Sequence, residues 1–141
     1  MINDNLVMRG DVEIKLNGDV VLEKKNLIVT AGKSFLANAV LANSTSPFTH
    51  MAIGTGTTAA ALTDTTLTTE VARQAFTTSS RTTNVVTLVT TYAAGTGTGA
   101  LTEAGIFNAS SAGTLLSHVV FSAINKGSAD SLTITWTITV G

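Results

Sequence analysis

The chain has 141 residues, of which 44% are hydrophobic and only 12% are charged, and its formal net charge is −1. This length fits one domain with a sizeable apolar core, and the absence of cysteine excludes disulfides, thiol catalysis and thiolate metal sites. The charge balance provides neither the basic surface that nucleic-acid binding requires nor a polybasic patch for a membrane. No signal peptide or membrane-spanning segment is expected, since no stretch approaches the ~20 apolar residues needed to cross a bilayer.

The first predicted element is a β-hairpin over residues 11–29. Apolar and charged residues alternate from Asp11 to Leu16, as expected for a strand with one buried face. The next two residues, Asn17-Gly18, are the pair that two-residue hairpin turns favour most strongly. Residues 20–29 then form the return strand, and residues 1–10 are expected to form an N-terminal arm.

A single helix is predicted after the hairpin, over residues 31–42. Apolar side chains recur there at helical spacing, and Thr30 is the expected N-cap. The helix is expected to end near Asn43, because the Ser-Thr-Ser-Pro stretch that follows favours a loop.

Six more strands and one long loop complete the predicted elements. The strands cover residues 48–53, 70–80, 84–92, 103–108, 114–124 and 132–140. The last strand is the clearest, because threonine alternates there with large apolar residues and places Trp136 on the face that covers the core. Residues 57–69 are small and polar, and they are expected to form a loop across the end of the sheet.

Together these elements predict a mainly β protein. The expected fold is an antiparallel, jelly-roll-like β-sandwich of about eight strands, with one short α-helix near residues 31–42. Residues 11–141 are expected to form this single β-sandwich domain. The abundance of threonine supports the assignment, because its branched side chain fits the surface of a pleated strand.

The motifs predict neither catalysis nor the binding of a metal, cofactor or small-molecule substrate. His50 and His118 lack the spacing of metal ligands, and both are expected to be structural. Gly54 and Gly56 lie in a Gly-Thr-Gly run, but the lysine of a phosphate-binding loop does not follow. These two glycines are expected to form a turn in which glycine supplies a positive φ.

Three acidic residues, Asp64, Glu70 and Glu103, would form an acid–base pair only if the fold brought two of them together. Glu70 and Arg73 lie three residues apart, which places them on opposite faces of a regular strand but would allow a weak pair in a helical turn. A buried pair between Arg73 and Glu103 that fixes the long loop is the structural alternative.

Three short motifs follow one another along the chain. They are Ile53-Gly-Thr-Gly56, a loop that ends in Leu67-x-x-Glu70-x-x-Arg73, and Leu101-Thr-Glu-Ala-Gly-Ile-Phe107. Together with Asn26–Gly32 before the helix, this succession resembles a module found in virion proteins of tailed bacteriophages. The resemblance covers about residues 26–140.

The resemblance implies a structural role in a virus particle. Such modules occur in small capsid decoration (cement) proteins and in tail or collar fibre segments, and the lack of repeats or a fibrous extension favours decoration. Head proteins of this kind bind the outside of the capsid, usually as dimers or trimers. The implied partners are therefore further copies of this chain and a major capsid protein, and the implied location is the capsid surface. A tail, collar or fibre component is the main alternative, and a carbohydrate-binding sandwich or an enzyme is less favoured.

Two sets of residues are singled out by these arguments. Charged residues of the predicted hairpin are expected to contact the capsid or a neighbouring copy: Asp11, Glu13, Lys15, Lys24 and Lys25. Residues of the motifs and of the last strand are expected to have structural roles: Gly54, Gly56, Glu70, Arg73, Glu103 and Trp136.

Overall fold

The computed structural model describes residues 6–41 and 46–141. This part of the chain is mainly β, with nine strands and one short helix. In chain order the elements are β1 (Met8–Leu16), β2 (Asp19–Ile28), α1 (Thr30–Val40), β3 (His50–Gly54), β4 (Glu70–Ala75), β5 (Thr78–Thr82), β6 (Val85–Tyr92), β7 (Gly99–Phe107), β8 (Leu115–Lys126) and β9 (Leu132–Val140).

All nine strands belong to one antiparallel sheet in the order β4-β3-β7-β8-β2-β1-β9-β6-β5. The sheet curls, so that side chains from its two halves share a single apolar core, with Trp136 from one half and Met51 and Ile106 from the other. The hydroxyl of Tyr92 on β6 also donates to the Met51 carbonyl on β3, at 2.6 Å. A mainly β, antiparallel fold with one short helix is therefore confirmed, whereas a jelly-roll sandwich is not.

The predicted hairpin is present as β1 and β2. Asn17 and Gly18 have φ values of 50° and 86°, the positive pair that a type I′ turn requires. β1 begins earlier than expected, because Met8–Gly10 pair with the end of β9. These three residues are therefore part of the sheet and not of an arm, and residues 1–5 lie outside the described part of the chain.

The helix begins one residue earlier than predicted. Its N-cap is Val29, which offers no side-chain hydrogen bond, and Thr30 is the first helical residue and not the cap. Gly32 is the one buried residue of α1. A Cβ at this position would lie 2.4 Å from the carbonyl oxygen of Leu116. Glycine thus lets α1 approach the backbone of β8. The helix ends at Val40, and the expected end near Asn43 lies outside the described residues.

The predicted strand at residues 70–80 is two strands on opposite edges of the sheet. β4 pairs with β3 at one edge and β5 pairs with β6 at the other. Between them, Phe76 N donates to Thr49 O beside β3 and Thr77 N donates to Val89 O on β6, so that two consecutive residues bind opposite edges of the sheet. This corner brings the edges together and explains why about eight strands were predicted and nine are found.

The remaining expectations for the elements are largely met. β9 covers residues 132–140, as the alternation of threonine and apolar residues indicates, and Trp136 is fully buried. Residues 57–69 contain no strand or helix, as predicted. Within residues 6–41 and 46–141, no helix has the length and apolarity needed to pass through a membrane.

Candidate functional site

The long loop covers one face of the sheet, and we call residues 55–69 of this loop the flap. Beneath the flap lies a second, small apolar cluster that is separate from the main core. Its buried members are Val29, Ala52, Leu67, Phe107 and Leu115. Leu67 is the flap's own contribution to this cluster, so the flap is packed onto the sheet and does not extend into solvent.

A buried carboxylate holds the backbone of the flap. The side chain of Glu103 on β7 is 0% exposed. Its Oε1 accepts hydrogen bonds from Gly56 N at 3.0 Å and Thr69 N at 2.7 Å, and its Oε2 accepts one from Thr68 N at 3.0 Å. A buried charge is tolerated only when it is paired and hydrogen-bonded. These three amides, from both ends of the flap, supply that compensation.

His118 on β8 lies between two carboxylates. Its side chain is 1% exposed; Nε2 is 2.8 Å from Glu103 Oε2, and Nδ1 is 2.7 Å from Asp64 Oδ2. A neutral imidazole has one N–H, whereas the imidazolium has two. Both contacts are hydrogen bonds only if His118 is the imidazolium, which then carries the charge that balances its partners. Asp64 belongs to the flap and also accepts from Ala61 N at 2.8 Å.

Both carboxyl groups of this cluster have pKa values below their ordinary range. Burial opposes ionisation of Glu103, but hydrogen bonds from the amides of Thr69 and Thr68 and from His118 outweigh it and lower the pKa. Burial likewise opposes ionisation of Asp64, and its pKa is lowered by the Ala61 amide and by His118. Both groups are therefore ionised at neutral pH.

The geometry of this cluster suits attachment of the flap to the sheet better than catalysis. A general base needs a free nitrogen or oxygen within hydrogen-bond reach of a substrate proton. Here both ring nitrogens of His118 and both oxygens of Glu103 already have partners within the chain. Within the part of the chain that the structure describes, no group of three or more histidine, aspartate and glutamate side chains could hold a metal ion.

The glycines of the motifs make room for the flap. A Cβ at Gly54 would lie 2.3 Å from Thr69 O, and one at Gly56 would lie 2.4 Å from Glu103 Oε1. At Gly105, a Cβ would lie 2.8 Å from the Leu67 side chain. Gly54 and Gly56 are not among the residues with positive φ. The predicted reason for these two glycines was therefore wrong, because they are required by close packing and not by a turn.

Arg73 has a different partner from the one that the sequence suggested. Its guanidinium binds both carboxylate oxygens of Glu70, with Nε 2.8 Å from Oε2 and Nη2 3.1 Å from Oε1. A bulge in the β3–β4 pairing, between Ile53 and Gly54, brings Glu70 and Arg73 onto the same face of β4. The expectation of opposite faces was therefore wrong, and the Arg73–Glu103 pair is not formed.

Arg73 fixes the β7–β8 turn next to the flap. Its Nη1 donates to the carbonyls of Ala109 and Ala112, at 3.1 and 2.8 Å. The guanidinium carbon also lies 3.6 Å from the centre of the Phe107 ring, within the range of a cation–π contact. Glu103 and Arg73 thus hold two neighbouring loops, each through its own set of carbonyl or amide partners.

The charged residues of the hairpin lie apart from the flap cluster, and they do not all share one face. Asp11, Glu13 and Lys15 alternate with buried residues along β1, and they face outward. Lys25 lies opposite Asp11, with 4.0 Å between Nζ and Oδ1, and Lys15 Nζ is 3.7 Å from Glu13 Oε1. Lys24 points to the other side of β2, where its Nζ donates to the Val120 carbonyl.

The sequence interpretation missed the partnership of Asp64, Glu103 and His118. One signal was available: Glu103 and His118 are both ionisable residues within otherwise apolar strands. Such residues seldom become buried without a partner. Asp64 gave no comparable signal, because it lies in a polar loop 54 residues from His118.

Comparisons with models of protein families, with curated proteins and with solved structures find no match to this chain. The function is therefore inferred from the geometry above and from the motif resemblance.

Proposed function

We propose that this chain is a structural protein of a tailed bacteriophage particle, and specifically a capsid decoration protein that binds the outside of the assembled head and stabilises it. One observation carries the proposal. The residues on which the phage resemblance rests, including Gly54, Gly56, Leu67 and Glu103, meet around the flap and bind one another. The packing of the flap onto the sheet therefore explains why these residues occur together in the motifs. A role in packing is what we expect of residues in a structural module.

The composition of the outer surface supports the same role. On β9 the outward positions are threonines, which lie beside the outward threonines and valines of β6. A surface with so little charge suits burial against other protein, because a free monomer normally relies on charge for solubility. A protein that binds only the assembled shell stabilises that shell by mass action, and repeated weak contacts over the lattice add avidity.

The proposed partners are further copies of the chain, as a dimer or trimer, and the major capsid protein. The charged face formed by Asp11, Glu13, Lys15 and Lys25 is the proposed contact with the capsid or with a neighbouring copy. Charges at such a contact mainly set orientation and register. Lys24 is left out of this face because it points to the other side of β2.

The finer description of the fold belongs to the same proposal. The two halves of the curled sheet contribute facing residues to one core, which is the arrangement expected of a jelly-roll-like sandwich. β2 connects the halves, since it pairs with β1 along most of its length but with β8 only at Leu27 and Ile28.

The test is cryo-electron microscopy of intact, purified particles of the phage that encodes this chain. Copies arranged over the icosahedral head, at local symmetry axes or between capsomers, would support decoration and identify the residues in contact with the shell. Density confined to the tail or collar would refute decoration and support the alternative of a tail or fibre component. Absence of the chain from purified particles would refute both assignments.

A further inference from the structure

The flap is attached to the sheet by a small number of identifiable contacts. Leu67 provides the apolar contact, and Thr30 N donates to Leu62 O at 2.9 Å. The Thr102 hydroxyl of β7 donates to Gly56 O at 2.7 Å. The other polar contacts between flap and sheet are those of Glu103 and of the pair between Asp64 and His118. Three ionisable groups therefore connect the flap to β7 and β8.

The charged groups around His118 come from three elements. Glu103 approaches from β7 and Asp64 from the flap. Lys24 and Lys25 of β2 line the cleft next to His118, together with Thr57 and other small residues of the flap. Lys24 is engaged by the Val120 carbonyl, so the two carboxylates are the direct partners of the ring.

We propose that the flap is a proton-operated cover, closed while the carboxylates of Asp64 and Glu103 hold the His118 imidazolium, and opened by protonation of those carboxylates while the curled sheet stays folded. Protonation of Glu103 would turn one of its acceptor oxygens into an O–H donor. That donor would face the backbone amides of the flap, which are donors themselves. The imidazolium would then be buried without a counter-charge, which is strongly unfavourable. Opening gives His118 access to water and exposes the apolar surface around Phe107. This inference does not depend on the proposed virion role.

The direction of the pH dependence follows from the lowered pKa values of Asp64 and Glu103. In the closed state these carboxyls bind protons less readily than ordinary carboxyls, so acid favours the open state. Closure is fully stabilised above the ordinary carboxyl range and is lost as the pH falls through the lowered values. Between these limits each carboxyl reduces the closed-to-open ratio by about tenfold per pH unit, and the two together by about 100-fold.

The test is amide hydrogen exchange by NMR on the intact chain, from about pH 7 to about pH 3, with each rate divided by its intrinsic chemical rate. The amides of Gly56, Thr68 and Thr69 report flap opening, and amides paired between β1 and β9 report the sheet. We expect the flap amides to lose up to about 100-fold of protection per pH unit while the sheet amides keep theirs.

The decisive variant is Asp64→Asn, because Asp64 is partly exposed and the amide oxygen can still accept from Ala61 N. The variant should reduce the change in protection of the flap amides from about 100-fold to about tenfold per pH unit. Asp130→Asn is the matched control, since Asp130 accepts from Gly127 N in a separate turn and also has a lowered pKa. This control should leave the dependence of flap-amide protection on pH unchanged.

Two results would overturn the proposal. The first is a single transition in which flap and sheet amides lose protection together. The second is an Asp64→Asn variant whose flap amides keep the wild-type dependence of protection on pH.

Discussion

The two faces of the sheet at β7 and β8 are stabilised in different ways. On one face Ala104, Ile106 and Val119 pack into the main core with side chains from the opposite half of the sheet. On the other face Glu103 and His118 are buried under the flap and bind polar atoms. The apolar face depends on volume and tolerates changes of pH, whereas the flap face depends on individual donors, acceptors and charges.

The largest effect is expected from Glu103→Gln, which breaks the charge balance on the flap face. The new amide group places N–H donors against Thr68 N and His118, and it leaves the imidazolium with one carboxylate. Loss of one partner from a buried ionic cluster costs about 3–5 kcal/mol, measured as the free energy of unfolding in urea. Glu70→Gln is the control, because the same change on a partly exposed carboxylate should cost about 1 kcal/mol or less. Equal losses in the two variants would contradict the special role of Glu103.

Truncation on the apolar face should come next. Ile134 is fully buried in the main core, and Ile134→Ala should cost about 2–5 kcal/mol through lost burial and a residual cavity. This loss should be the same at neutral and mildly acidic pH, unlike that of Glu103→Gln. Thr137→Ala, on the outward face of the same strand, should change the stability by about 0.5 kcal/mol or less. A strongly pH-dependent loss for Ile134→Ala would argue against the contrast between the faces.

A smaller loss of stability is expected from a substitution at the apolar contact between the flap and the sheet. Gly105→Ala places a methyl group against the Leu67 side chain, and overpacking of this kind costs about 1–3 kcal/mol. We expect the flap amides to exchange faster in this variant, while the β1–β9 amides keep their protection. Gly95→Ala is a control of a different kind, because that glycine has open space but a positive φ. Faster exchange in the sheet and not in the flap would show that Leu67 does not anchor the flap at Gly105.

The smallest effect is expected from Arg73→Lys. Lysine keeps the charge but loses the planar group that binds both oxygens of Glu70 and lies over Phe107. Because Glu70 is partly exposed, the loss should be about 1 kcal/mol, with faster amide exchange confined to the β7–β8 turn. No change in that turn would mean that its own hydrogen bonds are sufficient.

The same contrast explains which features could be predicted from the sequence. The hairpin and β9 are encoded locally, by an Asn-Gly turn and by alternation with a period of two, and both are found. The corner at Phe76 was missed because β4 and β5 together look like one strand, and the change of edge depends on carbonyls of distant residues. The bulge in the β3–β4 pairing is equally invisible locally, so Glu70 and Arg73 were assigned to the wrong faces.

The candidate site was predicted only in part. Gly54, Gly56 and Glu103 were named as structural residues of the motifs, and the structure places them against the flap, but their partners were not predicted. The pair between Asp64 and His118 joins residues 54 positions apart, and Glu103 mainly binds backbone amides, which every residue except proline carries. Contacts of this type leave no periodic pattern in the amino-acid sequence.

The corner between β4 and β5 also has a consequence for proteolysis. Phe76 N and Thr77 N belong to consecutive residues but bind opposite edges of the curled sheet, and β4 and β5 each pair with one strand. A single cut at this corner would remove the covalent link between the edges, while the Gln74–Thr91 and Tyr92–Met51 hydrogen bonds and the shared core would still join the two halves. Because edge strands are templates for pairing with other chains, the expected consequence of a cut is fraying of β4 and β5 and their pairing with other copies, with the rest of the sheet intact.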